Sequence, residues 1–297
     1  MKNILVITGG AGFIGSNLIE FILQKTKYKI VSIDNYSSGF IKNHIKNSRI
    51  KYINADTQNI QTVLGKYRKQ IKTIFHFGEF SRIYQSFKFT NNCFNSNIAG
   101  TLSVFLFCIK NKIKVIYSAT SASLGNNGND KNLSPYAFTK SINLNLLVNL
   151  NKWFGLSYEV LYFYNVYGKR QIDKGKMATV IGIFENCYKK GIPLPVVFPG
   201  TQKRTFTSID DTIKGCYLAW KKNQNRHYSL SSLKSYSIIE VAKMFSNKIK
   251  IIPQRPGERN FSSTVKKNEG CKIYPIKCND DLYKYINLFK KLQLKKN

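Results

Sequence analysis

The sequence predicts an α/β protein: a doubly wound parallel sheet with a smaller C-terminal lobe. Three observations predict it. Apolar, β-branched runs alternate with helical patterns through the first half of the chain, the rhythm of strand–helix–strand units. The first run, residues 3–8, leads into Gly9, Gly10, Gly12 and Gly15 and then into a helical pattern with Phe13, Leu18, Ile19 and Ile22. The polar residues of this half gather where predicted strands end, and such sheets bind ligands beyond the carboxyl ends of their strands.

The first turn carries the most information. Strand, glycine turn and helix in that order form the setting of a dinucleotide site. Glycines allow a tight turn and let a pyrophosphate approach bare N–H groups at a helix N-terminus. Gly15 removes a side chain where the helix packs against the strand.

The second apolar run, residues 28–33, ends in Asp34, 19 residues after Gly15. That spacing suits a carboxylate accepting hydrogen bonds from the adenosine ribose; the plainer role is opening a turn. Asn35, Tyr36, Ser37 and Ser38 follow with no cation. A 2′-phosphate would meet a carboxylate without a counter-charge, so the predicted cofactor is NAD, not NADP.

A third strand, Ile50–Asn54, closes at Asp56. This carboxylate can meet the adenine amino group or cap a helix over residues 58–69, and the two roles are compatible. A fourth strand over 73–76 ends in Phe77-Gly-Glu-Phe-Ser-Arg82, and a helix over 91–111 carries Asn97 and Thr101. A fifth strand, residues 115–118, runs into the small residues 119–123.

The next helix opens with Ser134-Pro135 and carries Tyr136 and Lys140 on one face. A free tyrosine hydroxyl titrates near 10 and is a poor base at neutral pH. Lowering that value to about 7 takes about 4 kcal/mol. A nearby ammonium and the positive nicotinamide ring of an oxidised cofactor can supply it in a partly desolvated site.

The second half predicts a helix over 176–190, a strand over 194–198 and a helix over 211–221 returning to the main sheet. Ser237 and Glu240 form a capping box. A strand over 249–252 and a basic helix over 280–293 complete the chain. The expected division is a dinucleotide-binding domain over 1–165, rejoined by 204–230, and a lobe formed mainly by 166–297.

The 297 residues can bury a substantial core. A formal charge of +32 suggests a polyanionic partner, yet the lysines are spread evenly and no nucleic-acid-binding signature accompanies them. The charge is read as surface drift, with no specific nucleic-acid partner. The chain has no unbroken apolar run of 18 residues, so no membrane span is expected. A strand at the very start leaves no room for a signal peptide. Six scattered cysteines and three dispersed histidines predict reduced thiols in a cytoplasm and no metal site.

Together these residues resemble the extended short-chain dehydrogenases/reductases, and among them the NAD-dependent epimerase/dehydratase family and its UDP-glucose 4-epimerase branch. The resemblance runs through residues 8–15, Asp34-Asn35, Asp56, His76-Phe77, 97–101, Tyr136 with Lys140, 164–168, Arg204, 209–211 and 255–258. It implies a Rossmann-like domain with a substrate-binding lobe. It makes Tyr136 the acid/base, Lys140 the holder of the nicotinamide ribose and Thr120 the catalytic hydroxyl. Cofactor contacts are implied at Gly9, Gly12, Phe13, Ile14, Gly15, Asp34, Asn35, Asp56, Phe77, Gly78, Asn97, Ser118 and Phe163. Substrate contacts are implied at Arg82, Thr120, Asn165 and Glu258, with Arg204 and Arg255 clamping a diphosphate, a task suited to arginine's planar fork.

The implied reaction is NAD-dependent 4-epimerisation of a nucleotide sugar through a transient 4-keto sugar. The implied substrates are UDP-glucose/UDP-galactose or their N-acetyl forms. The implied assembly is a homodimer paired through helices 91–111 and 136–155. Relatives that eliminate water or carbon dioxide carry an acid after the catalytic hydroxyl, where this chain has Ser121-Ala122. A 4-keto reductase shares the same triad and is the nearest alternative; a redox-silent dinucleotide-binding regulator is a distant one. Seven residues beyond Arg255, Ser262 would close the sugar pocket and leave room for an acetamido group; a one-residue slip would put Phe261 there. The chain departs from its relatives in a short loop over 125–134, at Leu124, and around 271–275.

Overall fold

The computed structural model describes residues 2–124, 130–259, 267–268 and 271–295. Its first half lays down β1 (Ile4–Thr8), α1 (Phe13–Lys25), β2 (Lys29–Asp34), β3 (Ile50–Asn54), α2 (Ile60–Leu64) and β4 (Ile71–His76). Next come α3 (Ile83–Lys88), α4 (Thr90–Phe94), α5 (Thr101–Asn111), β5 (Lys114–Thr120), α6 (Pro135–Phe154) and β6 (Tyr158–Phe163). The second half contains β7 (Asn165–Tyr167), α7 (Val180–Lys189), β8 (Leu194–Val197), β9 (Lys203–Ser208), α8 (Ile209–Lys222) and β10 (His227–Ser231). It closes with β11 (Ser235–Ser237), α9 (Ile238–Phe245), β12 (Ile249–Ile252), β13 (Lys267–Asn268), β14 (Cys271–Lys277) and α10 (Leu282–Leu294).

The main sheet runs β3–β2–β1–β4–β5–β6–β10–β14, with β13 at its edge. Every pairing in it is parallel except the two-residue contact of β13 with β14. The strand order reverses between β1 and β4, and a Rossmann-like sheet opens its ligand crevice at that point.

Both faces of the sheet are covered, which is why β1 and β5 are buried along their whole lengths. Alternate residues serve opposite faces. Val6, Ile74 and Val115 pack with Val104, Phe105, Leu144 and Leu147, while Leu5, Ile7 and Ile116 pack with Leu18, Ile22, Ile213 and Trp220. A third core, built on Tyr167, Phe184, Phe206, Phe245 and Leu282, fills a lobe made of β7–β9–β11, the β8–β12 pair and α7, α9 and α10.

Several elements differ from the sequence reading. The helix expected over 58–69 is a 3₁₀ turn at Thr57–Asn59, the five-residue α2 and a second 3₁₀ turn at Gly65–Tyr67. The helix expected over 91–111 runs from Thr90 to Asn111 with a π-helical turn at Asn95–Gly100. By length and composition alone that helix could cross a membrane. It is instead seated in the core, burying Cys93, Asn97, Thr101, Val104, Phe105, Phe107 and Cys108. Strand β14 was not foreseen, because Pro275 within it argues against a strand.

Candidate active site

The glycine turn fits a pyrophosphate. Gly9 adopts a left-handed backbone (φ +71°), and a Cβ there would lie 2.8 Å from the Phe77 backbone. A Cβ on Gly15 would lie 2.2 Å from the Gly9 carbonyl. Helix α1 begins at N-cap Gly12 with no side-chain cap and no acid in its first turn. Its N-terminus, with Gly12, Phe13, Ile14 and Gly15, lines the cleft. First-turn N–H groups lack intrahelical partners, so an anion is well placed there.

Asp34 lies at the end of β2 in the same cleft. Its carboxylate accepts from the backbone N–H groups of Ala11 (2.9 Å) and Tyr36 (2.8 Å), which orients it. Burial pushes its pKa up, against the pull of those two hydrogen bonds. A Cβ on Gly39 would meet both carboxylate oxygens at 2.8 Å, so glycine lets that loop close over Asp34. Asp56 occupies the N-cap of the 3₁₀ turn without capping it; it accepts from Asn35 Nδ2 at 2.6 Å. Asn35 and Asp56 both line the cleft, which leaves the adenine role open and removes the capping one.

Helix α6 starts at Ser134, whose Oγ accepts from the Ala137 N–H, with Pro135 in the first turn. That start brings Tyr136 and Lys140 to the cleft wall opposite the end of β5, where Ser118 and Thr120 also line it. Thr120 Oγ1 accepts from the Ala122 N–H at 3.1 Å. Lys140 Nζ donates to the Ser118 carbonyl at 2.6 Å and to the Glu79 carboxylate.

Glu79 is the main feature the sequence reading missed. Its side chain is 1% exposed, and it accepts from Lys140, Thr101 Oγ1 (3.0 Å), Tyr117 Oη (3.1 Å), Asn143 Nδ2 (3.2 Å) and Ser118 Oγ (3.3 Å). The signal was present, an acidic residue just past a strand end inside the expected crevice, but none of its partners is near it in sequence.

The expected substrate residues divide. Arg82, Thr120 and Asn165 line the cleft; Arg82 Nε and Nη2 donate to the Met177 carbonyl at 2.9 and 2.6 Å. Arg204, Arg255 and Glu258 do not line it. Arg204 Nη2 donates to Glu258 (2.9 Å) and to the Arg259 carbonyl (2.6 Å), and burial, with the Arg259 charge, pushes its pKa down to about 10. Arg255 lies over the Tyr84 ring, 5.2 Å from its centroid. The arginine that reaches the cleft from this segment is Arg259, held by the Ser121 carbonyl at 2.8 Å. Of the expected diphosphate clamp, Arg204 and Glu258 thus stand behind Arg259, which is at the cleft wall.

Phe77, Gly78 and Phe163 line the cleft. Asn97 is fully buried behind it and holds the 77–82 loop, accepting from the Phe80 N–H at 2.7 Å. Ser262 and Phe261 lie outside the described residues. The cavity is about 390 Å³, within the range of small-molecule sites.

The sequence matches the model of the NAD dependent epimerase/dehydratase family over residues 5–231. It is similar to a putative UDP-glucose 4-epimerase of Methanocaldococcus jannaschii, 28% identical over 258 residues covering 82% of each chain. It is also similar to UDP-glucuronic acid decarboxylase 6 of Arabidopsis thaliana, 25% identical over 264 residues covering 83% of this chain and 74% of that one. Among solved structures, a UDP-N-acetylglucosamine 4-epimerase from Methanobrevibacter ruminantium in complex with UDP-N-acetylmuramic acid has a TM-score of 0.84 at 26% identity, covering 100% of both chains. The chain belongs to the NAD dependent epimerase/dehydratase family, and its cofactor is NAD.

Proposed function

We propose that this protein is a nucleotide-sugar 4-epimerase acting on UDP-hexoses, their N-acetyl forms included. The observation that carries the reading is the meeting of Thr120, Tyr136 and Lys140 at the cleft wall, with Ser121-Ala122 following the hydroxyl and no acid beside it. The elimination and decarboxylation known among relatives call for an acid at that point. Glu79, the nearby carboxylate, is engaged by Lys140 and four other donors.

Bound NAD supplies a reversible hydride acceptor at sugar C4. Tyr136 takes the proton of the 4-hydroxyl and later returns it, with Thr120 sharing that hydrogen bond. Lys140 favours the tyrosine's anionic form and holds the nicotinamide ribose. Arg82 and Arg259 present positive charge to the substrate's phosphates.

The homodimer and a cytoplasmic site of action belong to the same proposal. Phe94, Leu102 and Leu106 on the 90–111 helix, and Phe138, Ile142 and Trp153 on α6, are large apolar side chains left exposed. A second copy of this chain would cover them.

Purified protein incubated with a panel of UDP-sugars, with no added cofactor, tests the reading. The expected result is interconversion of a C4-epimeric pair at unchanged mass. Tyr136→Phe should lower that turnover at least a hundredfold while preserving the melting temperature and bound NAD. Loss of water or carbon dioxide from the sugar would contradict the reading.

A further inference from the structure

The acid–base scheme leaves Glu79 without a task, although it is the carboxylate that touches Lys140 in the cleft. We propose that Glu79 is a positioning residue, which clamps the Lys140 ammonium against Ser118 and offsets its charge beside Tyr136. The inference rests on the acid–base role given to Tyr136 and Lys140 above.

The hydrogen bonds around Glu79 have a consistent direction. Thr8 Oγ1 accepts from the N–H groups of Phe77 (3.1 Å) and Gly78 (3.0 Å), so its own proton points to His76 Nδ1 at 2.8 Å. His76 Nε2 then donates to Thr101 Oγ1 at 2.9 Å, and Thr101 donates to Glu79 at 3.0 Å. This assignment of the imidazole tautomer follows from its partners. The chain starts at the glycine turn and ends on the carboxylate that holds Lys140. Tyr117 and Asn143 donate to the same carboxylate, while Ser118 Oγ, 3.3 Å from it, divides its one proton between it and the His76 carbonyl at 3.0 Å. A carboxylate so fully supplied with donors is fixed in place.

Its neighbours carry no second anion onto Lys140. From β4, His76 is neutral, its pKa lowered by burial to about 4. From β5, burial and the Glu79 charge push the Tyr117 hydroxyl well up. From α4, burial pushes the Cys93 thiol up. The Arg82 and Arg259 guanidiniums also couple electrostatically to Tyr136; Asp130 and Glu258 lie against Arg259 and Arg204. Around Lys140 itself, Glu79 is the group that sets the balance. With it in place the pair carries no net charge, so the lysine's field at Tyr136 is weakened but not removed.

The test uses NAD-loaded protein and the ultraviolet absorbance of tyrosinate, each variant read against its own Tyr136→Phe counterpart. Glu79→Gln keeps the shape and removes the charge. It should move the midpoint of the Tyr136 signal down by about one pH unit. Glu79→Asp keeps the charge and should leave the midpoint near that of the unmodified protein. A merely structural Glu79 would change the melting temperature in both variants and move neither midpoint, which would overturn the proposal.

A second measurement covers the case in which Glu79→Gln does not fold. Lys140→Met strands a buried carboxylate and should lower the melting temperature by several degrees. Adding Glu79→Gln to Lys140→Met should recover most of the loss; a double variant no more stable than Lys140→Met overturns the pairing. Neither readout needs turnover. A shifted titration in a protein that epimerises nothing would sink the functional reading and leave this one standing.

Discussion

Two buried lysine–glutamate pairs stand at opposite ends of the same sheet, and they do different things. At the N-terminal edge Lys114 meets Glu159 at 2.7 Å, with side chains 9% and 0% exposed. There Glu159 also accepts the backbone N–H groups of Gln224 (2.6 Å), Asn225 (3.0 Å) and Arg226 (2.8 Å), tying down the turn between α8 and β10. At the C-terminal edge Glu79 meets Lys140, accepts from side chains alone and lines the cleft. The same ion pair is a staple where its partners are backbone; where they are side chains in the cleft, it has the role proposed above. The charges alone do not separate the two cases; the partners do.

The sharpest break in that comparison is Glu159→Ala. It leaves three backbone N–H groups without their acceptor and the buried Lys114 ammonium with the Asn223 side-chain oxygen but no counter-charge, at a cost of about 3–5 kcal/mol, and it should leave the Tyr136 titration where it was. Urea unfolding and the tyrosinate signal check both halves. A cost below about 1 kcal/mol, or a moved titration, would erase the distinction between the two ends.

A smaller effect separates the ends by pH. His227, at the start of β10, has its pKa lowered by burial to about 4. The native state therefore favours the neutral ring, and the unfolded chain takes up the proton first, near 6.5. Stability from this group is complete above about 6.5 and is lost as pH falls towards 4, by roughly 3 kcal/mol in all. His227→Phe should remove that slope. Its stability relative to the unmodified protein should rise by that amount as pH is lowered from 7 to 4. A constant difference across that range would show that the ring is not held neutral. His76 at the cleft end is depressed to the same value by burial, but there the Glu79 charge works against the shift.

What could be read from the sequence follows from how local each signal is. The glycine turn, Asp34, the Ser134-Pro135 helix start and the Ser237–Glu240 capping box are each written within a few residues, and the structure forms all of them. The role of Glu79 was not legible because its donors come from α5, β5 and α6, 22 to 64 residues away. That Arg259 lines the cleft and Arg255 does not was illegible for a similar reason. Both sit in one segment, and only the packing of that segment against Ser121 and Tyr84 decides which guanidinium enters the cleft. Strand β14 was hidden by Pro275, which lies past its two-residue contact with β13, where an open edge tolerates proline.

The central claim is that the protein inverts C4 by removing and returning one hydride within one site. A UDP-hexose carrying deuterium at C4, incubated with the purified protein and no added cofactor, tests this most directly. Proton NMR should show the C4 epimer accumulating with deuterium retained at C4 and the mass unchanged. Epimer with protium at C4, or a product lighter by water or carbon dioxide, would contradict the account.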